Sequence, residues 1–380
     1  MRTPWSVLVV VSLAVWPWGG SVGLASGMPP TAAAAPAANG WSRDSAASLL
    51  NLSDEELARR VEADVSSLGS LSIGSPGGAL LLNGVAMPAG PRWDIRAAEN
   101  AWGTAETITS IETAIDKVHA VFPDAPPLTI GDISDANGGR LKRHASHQGG
   151  RDVDLGFYYK GGQGQWFATG TAANLDLPKN WTLIRALVTE TDVEVIFLDT
   201  RIQRLLYNYA LSISEDKAWL DRVFQFTRGY RDARICYERN HRNHYHVRFY
   251  NPVAQELGRR AHPFLVQSGV IEPPVYTVRH VVRPGQTMGH VAARYGTSVR
   301  AIRAANGLSS TLWRAGRAYR IPVRAAAPPI APVVVPPRVL PPATPAVLAA
   351  AAWATSVSAP DGTAPAALEP GIFVRASCLY

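Results

Sequence analysis

The chain has 380 residues, more than one ordinary domain needs, so we expect two folded units joined by linkers. Its 29 prolines are too many to lie inside helices and strands, which predicts extended linker or tail segments. The net charge of +7 suits an anionic polymer as partner without indicating nucleic acid, and two cysteines exclude a disulfide-dense scaffold or a four-cysteine metal site.

The N-terminal 27 residues have the pattern of an export signal. Arg2 precedes an apolar run from Trp5 to Trp18, and small residues follow. The run is short for a bilayer crossing and has no basic stop-transfer flank, so we expect cleavage or a loose anchor and no stable membrane span. Export is therefore predicted, with the bacterial periplasm as the best fit. Residues 28–72 are expected to be a linker with a short helix that opens at Ser53.

The first folded unit is expected over residues 73–267. Apolar residues at helical spacing predict a helix over Thr107–Phe122, and clean alternation predicts a strand over His244–Tyr250. Further predicted elements are helices over 181–191, 202–210 and 219–226, and strands over 152–159 and 193–198. Because these elements follow no regular βαβ rhythm, we expect an α+β fold, with a small, mostly antiparallel sheet and flanking helices.

Five of the nine histidines fall in two short clusters. The first cluster places His144 and His147 just before Asp152 and Asp154. The second contains His241, His244 and His246. Residues two apart in a strand point to one face, so His244 and His246 share a face while Val247 and Phe249 turn towards a core. A turn at Gly149 and Gly150 lets His147 fold back beside Asp154.

Two imidazoles and one carboxylate with an open fourth position describe a catalytic zinc site. Such a zinc acidifies water and polarises a carbonyl, and a neighbouring imidazole that is not a ligand can take the proton. The ordinary alternative is a surface or satisfied core histidine, and we interpret His119, His262, His280 and His290 in that way. An Asp-x-Asp pair is also more often a turn or a solvated edge. The coincidence of both clusters with glycines at the turn favours the metal site.

The composite pattern resembles a known family. It comprises His144-x-x-His147-Gln148-x-Gly150-x-Asp152-x-Asp154 and, further on, His241-x-x-His244-x-His246. This pattern is similar to that of the penicillin-insensitive murein endopeptidases, within the lysostaphin and D-Ala-D-Ala metallopeptidase superfamily. Gly131-Asp-Ile-Ser134, Gly138-Gly139, Ile73-Gly-Ser-Pro76 and Leu82-Asn-Gly-Val-Ala-Met-Pro88 add to the resemblance, which covers about half of the chain.

The resemblance implies one Zn²⁺ per catalytic domain and a role for each residue of the pattern. It implies that zinc is held by His147, Asp154 and His246, with His244 as the catalytic base. The remaining pattern residues are expected to orient ligands, contact substrate or serve a secondary metal, and they are His144, His241, Asp152 and Gln148. Because the loop 159–178 offers few histidines or acids, no second metal is expected.

The implied reaction is hydrolysis of peptide cross-links in peptidoglycan, at the D-alanyl–meso-diaminopimelyl bond. No serine nucleophile takes part, so β-lactams are not expected to acylate the protein. The alternatives are a carboxypeptidase or L,D-peptidase of the same superfamily, or a non-catalytic peptidoglycan-binding protein. Intact histidines and Asp154 argue against the last of these, whereas the bond specificity stays open.

The second unit is expected over residues 276–323. A strand from Tyr276, two short helices with the cap Asn306-Gly307, and a final strand ending at Ile321-Pro322 form a βααβ pattern. This pattern resembles a LysM module, which binds N-acetylglucosamine-containing glycans such as peptidoglycan. Its first strand is longer than usual. Such a module raises the local concentration of substrate.

Residues 324–380 are expected to be a tail rich in proline and alanine, extended at least over 325–345. The two cysteines, Cys236 and Cys378, are compatible with a disulfide in an exported protein, but the sequence alone leaves their pairing open.

Overall fold

The computed structural model describes residues 47–162, 167–228, 233–273, 275–324 and 332–343. The expected export signal, Cys378 and the tail beyond residue 343 lie outside these residues. In the part of the chain that is described, no helix is long and apolar enough to cross a membrane.

The elements of the first unit follow in chain order. Its helices are α1 (Asp54–Ala63), α2 (Ala105–Val121), α3 (Leu177–Glu190), α4 (Thr200–Ser212), α5 (Lys217–Val223), α6 (Gln225–Arg228) and α7 (Pro252–Gln267). Its strands are β1 (Leu71–Ser75), β2 (Gly78–Leu82), β3 (Val85–Ala86), β4 (Trp93–Ile95), β5 (Trp102–Gly103), β6 (Leu128–Ile130), β7 (Asp152–Leu155), β8 (Val193–Leu198), β9 (Ile235–Tyr237) and β10 (Tyr245–Phe249).

A six-stranded sheet in the order β4-β6-β7-β10-β8-β9 forms the centre of this unit. The pairs at its two edges are parallel, and the three central pairings are antiparallel. The expected α+β class with a mostly antiparallel sheet is therefore confirmed. Two short antiparallel pairs, β1 with β2 and β3 with β5, lie outside this sheet.

Strand β10 separates the main core from the opposite face of the sheet. Tyr245, Val247 and Phe249 are fully buried in the core with helices α2 to α5, as the alternation predicted. His246 and Arg248 therefore point to the other face. The predicted strand began at His244, whereas β10 begins at Tyr245, so that His244 lies in the preceding loop.

Helix α2 could be predicted from the spacing of its apolar residues alone. Ile108, Ile111, Ile115 and Val118 recur every three or four residues and are all fully buried. The Thr104 hydroxyl accepts a hydrogen bond from the Thr107 amide and caps the first turn, so the helix begins at Ala105, two residues earlier than predicted.

A second core lies apart from the main sheet and uses the segment expected to be a linker. The helix predicted after Ser53 is present as α1, and its Leu57 and Val61 are buried in a cluster with the β1–β2 hairpin and α7. At Gly258 of α7 an added Cβ would lie 2.6 Å from the Ser72 carbonyl oxygen, so helix and hairpin pack backbone to backbone. The partner of α1 is thus about 200 residues away in sequence.

The second unit has the predicted βααβ arrangement: β11 (Val275–Val281), α8 (Met288–Arg294), α9 (Val299–Ala305) and β12 (Ala318–Arg324). Strands β11 and β12 pair antiparallel over their full seven-residue lengths, so the long first strand has a partner at every position. A separate small core, including the fully buried Ile302 and Ile321, lies between the strands and the helices.

The tail segment 332–343 contains no helix or strand, in agreement with an extended chain, yet it packs on the first unit. Val339 is 5% exposed within the main core, and its carbonyl accepts a hydrogen bond of 2.6 Å from the Trp219 indole. Arg338 pairs with Asp192 at 2.9 Å. This part of the expected tail therefore packs on the first unit.

Candidate metal centre

Two antiparallel neighbours at the centre of the sheet place the two predicted clusters side by side. Strand β7 carries Asp152 and Asp154, and β10 carries His246. In the register of this pair, His246 lies opposite Asp154 and Arg248 lies opposite Asp152. Because residues two apart share a face, all four side chains occupy the face opposite the main core.

The loop before β7 folds back as the glycines predicted. Gly150 has a φ of +68°, and His147 itself has a φ of +62°, a left-handed backbone that is uncommon for a residue with a side chain. An added Cβ at Gly138 would lie 2.3 Å from the Gln148 carbonyl oxygen, and the Gly139 amide donates to that oxygen at 2.8 Å. The tight contact brings His147 to Asp154.

Hydrogen bonds determine which nitrogen of each buried imidazole can bind a cation. His147 Nδ1 lies 3.1 Å from the Ile133 carbonyl oxygen, which can only accept, so Nε2 keeps the lone pair. His246 Nε2 lies 2.8 Å from Asp152 Oδ1, so its Nδ1 keeps the lone pair. Both lone pairs face Asp154 Oδ1, at 3.3 Å from His147 Nε2 and 3.7 Å from His246 Nδ1.

Two of these three electron-pair donors are buried without a hydrogen-bond partner, and His246 Nδ1 lies 3.7 Å from one of them, Asp154 Oδ1. His147 Nε2 and Asp154 Oδ1 are both buried and lack a hydrogen bond. A tetrahedral ion with bonds of about 2.0–2.2 Å has ligand-to-ligand edges of roughly 3.3–3.6 Å. The 3.3 Å between His147 Nε2 and Asp154 Oδ1 matches such an edge, and the 3.7 Å between His246 Nδ1 and Asp154 Oδ1 is slightly longer, so the donor types and spacing fit a metal such as zinc.

In the absence of a cation, a proton competes for the same position. Burial disfavours a charged imidazole, but the Asp154 carboxylate outweighs burial and raises the pKa of His147 to about 9. Burial lowers the pKa of His246 to about 4, which keeps that ring in the neutral form that metals bind.

Asp152 has the opposite environment to Asp154. Its Oδ1 accepts from His246 Nε2 and from Arg248 Nε, both at 2.8 Å. Burial of Asp152 would raise its pKa, but the nearby Arg248 guanidinium outweighs burial and holds the pKa of Asp152 well below its usual range. Asp152 thus contacts a candidate ligand, and its role in orienting that ligand stays a prediction. Arg248 was missed, although its position two residues after His246 on the same strand was a usable signal.

His244 lies at the edge of the centre with Nε2 3.6 Å from Asp154 Oδ1. Its Nδ1 lies 2.8 Å from Asn243 Oδ1, and its ring stacks on Phe167 with centroids 4.6 Å apart. Burial lowers the pKa of His244 to about 4, so the imidazole is neutral at pH 7. Neither Asn243 nor Phe167 carried a sequence signal that singled it out.

The remaining predicted residues are His144, His241 and Gln148. The ring of His144 is tilted by 59° against that of His147 with centroids 4.4 Å apart, and its Nε2 lies 2.9 Å from Asp132 Oδ2, a residue that the sequence analysis did not assign to the site. The ring of His241 is 5.6 Å from that of His246. Gln148 donates to the Ala145 carbonyl at 3.4 Å, within its own loop.

The structure leaves two further candidates for the third ligand besides His246. His144, His147 and Asp154 form a group whose ligand atoms lie within 4.8 Å of one another. His244 Nε2 is also about as close to Asp154 Oδ1 as His246 Nδ1 is. By distance alone, among the described residues, His144 completes such a group with His147 and Asp154, and His246 and His244 do not.

Two known families match parts of this chain. The family model for the penicillin-insensitive murein endopeptidases matches residues 72–272, just over half of the chain, and the LysM domain model matches residues 280–318. A search of curated proteins finds no match. Both matched families point to peptidoglycan and to the cell envelope. The sequence resemblance is thus confirmed: the chain belongs to the penicillin-insensitive murein endopeptidase family and carries a C-terminal LysM module.

Proposed function

We propose that this endopeptidase is zinc-dependent and hydrolyses the D-alanyl–meso-diaminopimelyl cross-link of peptidoglycan. The observation that supports it most is the pair of buried, unpaired atoms His147 Nε2 and Asp154 Oδ1, with His246 Nδ1 3.7 Å from the latter. Zinc prefers this set of two imidazoles and one carboxylate, with a further position open to solvent or substrate.

We assign the third ligand to His246 rather than to His144 or His244. His246 lies on the central strand, and Asp152 directs its free Nδ1 towards Asp154. The outer partner of a metal-binding histidine is commonly such a carboxylate. His144 and His244 lie in loops, and the side chain of His144 is 22% exposed with Nε2 already bound to Asp132.

When bound, zinc supplies a Lewis acid that polarises the scissile carbonyl and acidifies water. His244 then takes the proton of the attacking water at Nε2 as the new C–O bond forms. The same imidazolium returns that proton to the amide nitrogen as the C–N bond breaks, so that a carboxylate and an amine leave. A neutral imidazole at pH 7 is ready for the first of these transfers.

We further propose that the LysM module anchors the enzyme on the glycan and that the expected export signal directs it to the periplasm. The match of residues 280–318 to the LysM domain supports this role. Because the module adds no chemistry, its contribution lies in local substrate concentration.

Cross-linked dimeric muropeptides, incubated with the purified full chain before and after chelation, test the reaction. We expect monomeric products whose masses correspond to cleavage of the cross-link, loss of activity with the chelator, and recovery on addition of Zn²⁺. Release of a terminal D-alanine alone would identify a carboxypeptidase, and cleavage at an L,D bond would identify an L,D-peptidase. Either product set would replace the proposed specificity.

The anchoring role is best tested without truncation. A chain ending at Gln267 would lose the segment that covers Trp219, so a loss of function could come from the first unit. Ile302→Asp places a charge in the fully buried core of the LysM module and leaves that segment in place. We expect this variant to cleave soluble muropeptides normally and to bind intact sacculi less well. Unchanged binding to sacculi would reject the anchor.

A further inference from the structure

His244 is held in one orientation by two side chains outside the family pattern. Its Nδ1 lies 2.8 Å from Asn243 Oδ1, and its ring lies nearly parallel to Phe167, at 24°. The remaining nitrogen, Nε2, faces Asp154 Oδ1 at 3.6 Å. One nitrogen of the ring is therefore occupied by an amide, and the other faces the metal centre.

The amide oxygen of Asn243 decides the tautomer of this ring. A carbonyl oxygen can only accept, so the hydrogen bond requires the proton on Nδ1 and leaves the lone pair on Nε2. A general base needs its lone pair on the nitrogen that faces the proton to be removed. In the opposite tautomer, Nε2 would carry hydrogen towards the centre and could not accept the proton.

The backbone around Asn243 is itself fixed at two points. The Asp199 amide, at the start of α4, donates to the His241 carbonyl at 2.8 Å. The Gly170 amide donates to the Arg242 carbonyl, also at 2.8 Å, and so ties this loop to the segment that carries Phe167. The amide and the stacking ring therefore keep a constant position relative to His244.

We propose that Asn243 is a positioning residue that holds His244 in the tautomer with a basic Nε2, while Phe167 limits rotation of the ring. This inference rests on the proposed function, in which His244 is the base. Asn243 makes no contact with substrate in the proposal. Its effect is to keep nearly all of the enzyme in the reactive tautomer.

The test compares Asn243→Ala, Asn243→Asp and His244→Ala as zinc-loaded full chains acting on dimeric muropeptides. For Asn243→Ala we expect kcat to fall by about 10-fold to 100-fold, as for outer partners of active-site groups, with KM and zinc content unchanged. Asn243→Asp keeps an acceptor at the same position and should recover most of the lost kcat. Arg242→Ala, an exposed neighbour in the same loop, serves as the control and should match the parent.

Nitrogen-15 NMR of the histidine rings supplies a measurement independent of activity. The parent should show a protonated Nδ1 and an unprotonated Nε2 at His244, and Asn243→Ala should show a mixture. Unchanged kcat or an unchanged tautomer in Asn243→Ala would overturn the inference, and so would loss of zinc, which would indicate a structural role. If His244→Ala retains full activity, the proposed function itself fails. If His244→Ala loses activity while Asn243→Ala remains fully active, only the role of Asn243 is rejected.

Discussion

A buried histidine of the LysM module, His280, and one of the endopeptidase unit, His147, differ in the hydrogen bonds of their ring nitrogens. In the LysM module His280 is 7% exposed, with Nδ1 3.1 Å from the Tyr295 hydroxyl and Nε2 3.0 Å from Gln286 Oε1. In the endopeptidase unit His147 is fully buried, and its Nε2 has no hydrogen bond. Both ring nitrogens of His280 therefore have hydrogen-bond partners, whereas His147 keeps one nitrogen without a partner.

A buried polar atom without a partner costs about 1–3 kcal/mol, so its retention calls for a reason. At His147 the reason we propose is the second unpaired atom beside it, Asp154 Oδ1, since the pair would form two corners of the candidate cation site. An unpaired nitrogen alone is insufficient. His119 Nε2 is also buried and unpaired, yet His119 belongs to no group of metal-binding side chains in the described chain.

The largest expected effect is on activity and metal content. Replacing His246 or His147 by alanine should abolish stoichiometric zinc and lower kcat/KM about 10³-fold or more, because several kcal/mol of transition-state stabilisation are lost. His280→Ala should keep both zinc and activity on soluble muropeptides. Metal analysis measures the zinc content of each variant, and kinetics on soluble muropeptides measure kcat/KM. Full zinc in His246→Ala with loss of zinc in His144→Ala would assign the third ligand to His144.

Thermal stability provides a second test of whether His147 binds zinc and His280 does not. A ligand that binds only the folded state, at a thousand times its Kd, stabilises by about 4 kcal/mol. Zinc should therefore raise the Tm of the parent and of His280→Ala by similar amounts and leave the Tm of His147→Ala unchanged. Calorimetry with and without Zn²⁺ measures the shift. A zinc-induced shift that survives in His147→Ala would contradict the proposed site.

A smaller effect is expected at Arg248, which acts on the centre through Asp152. Arg248→Met keeps much of the side-chain volume and removes the donor, so Asp152 holds His246 less firmly and zinc affinity should fall about 10-fold to 100-fold. Arg279→Met makes the same change on an exposed strand position of the LysM module and is the control. Competition with a metal-sensitive chelator measures both affinities. Equal affinities would remove Arg248 from the metal centre.

The smallest effect concerns segment 332–343, which packs on the first unit. Val339→Asp places a charge in the main core beside Trp219 and should cost about 1–3 kcal/mol, which lowers the Tm of the endopeptidase unit by several degrees. Val334→Asp is the matched control, because Val334 is 74% exposed. Thermal unfolding of both full chains measures the difference. If the two variants melt together, segment 332–343 contributes nothing to the first unit.

Local sequence was enough wherever a pattern repeats within one element. The apolar spacing of α2, the alternation of β10 and the βααβ order of the LysM module each place their own core residues. It was insufficient where the partner is distant. Helix α1 was expected within a linker because its partner α7 lies about 200 residues further on, and Val339 gave no sign that Trp219 would cover it.

The sequence by itself determined the residue types of the centre and their spacing, and strand geometry predicted the shared face of Asp152 and Asp154 and the face of His246 opposite the core. Only the tertiary structure decided which nitrogen of each ring is free. That choice depends on partners contributed by other elements: the Ile133 carbonyl for His147 and the Asp152 carboxylate for His246. A tautomer is a property of a hydrogen-bond network, and the network exists only once the chain is folded.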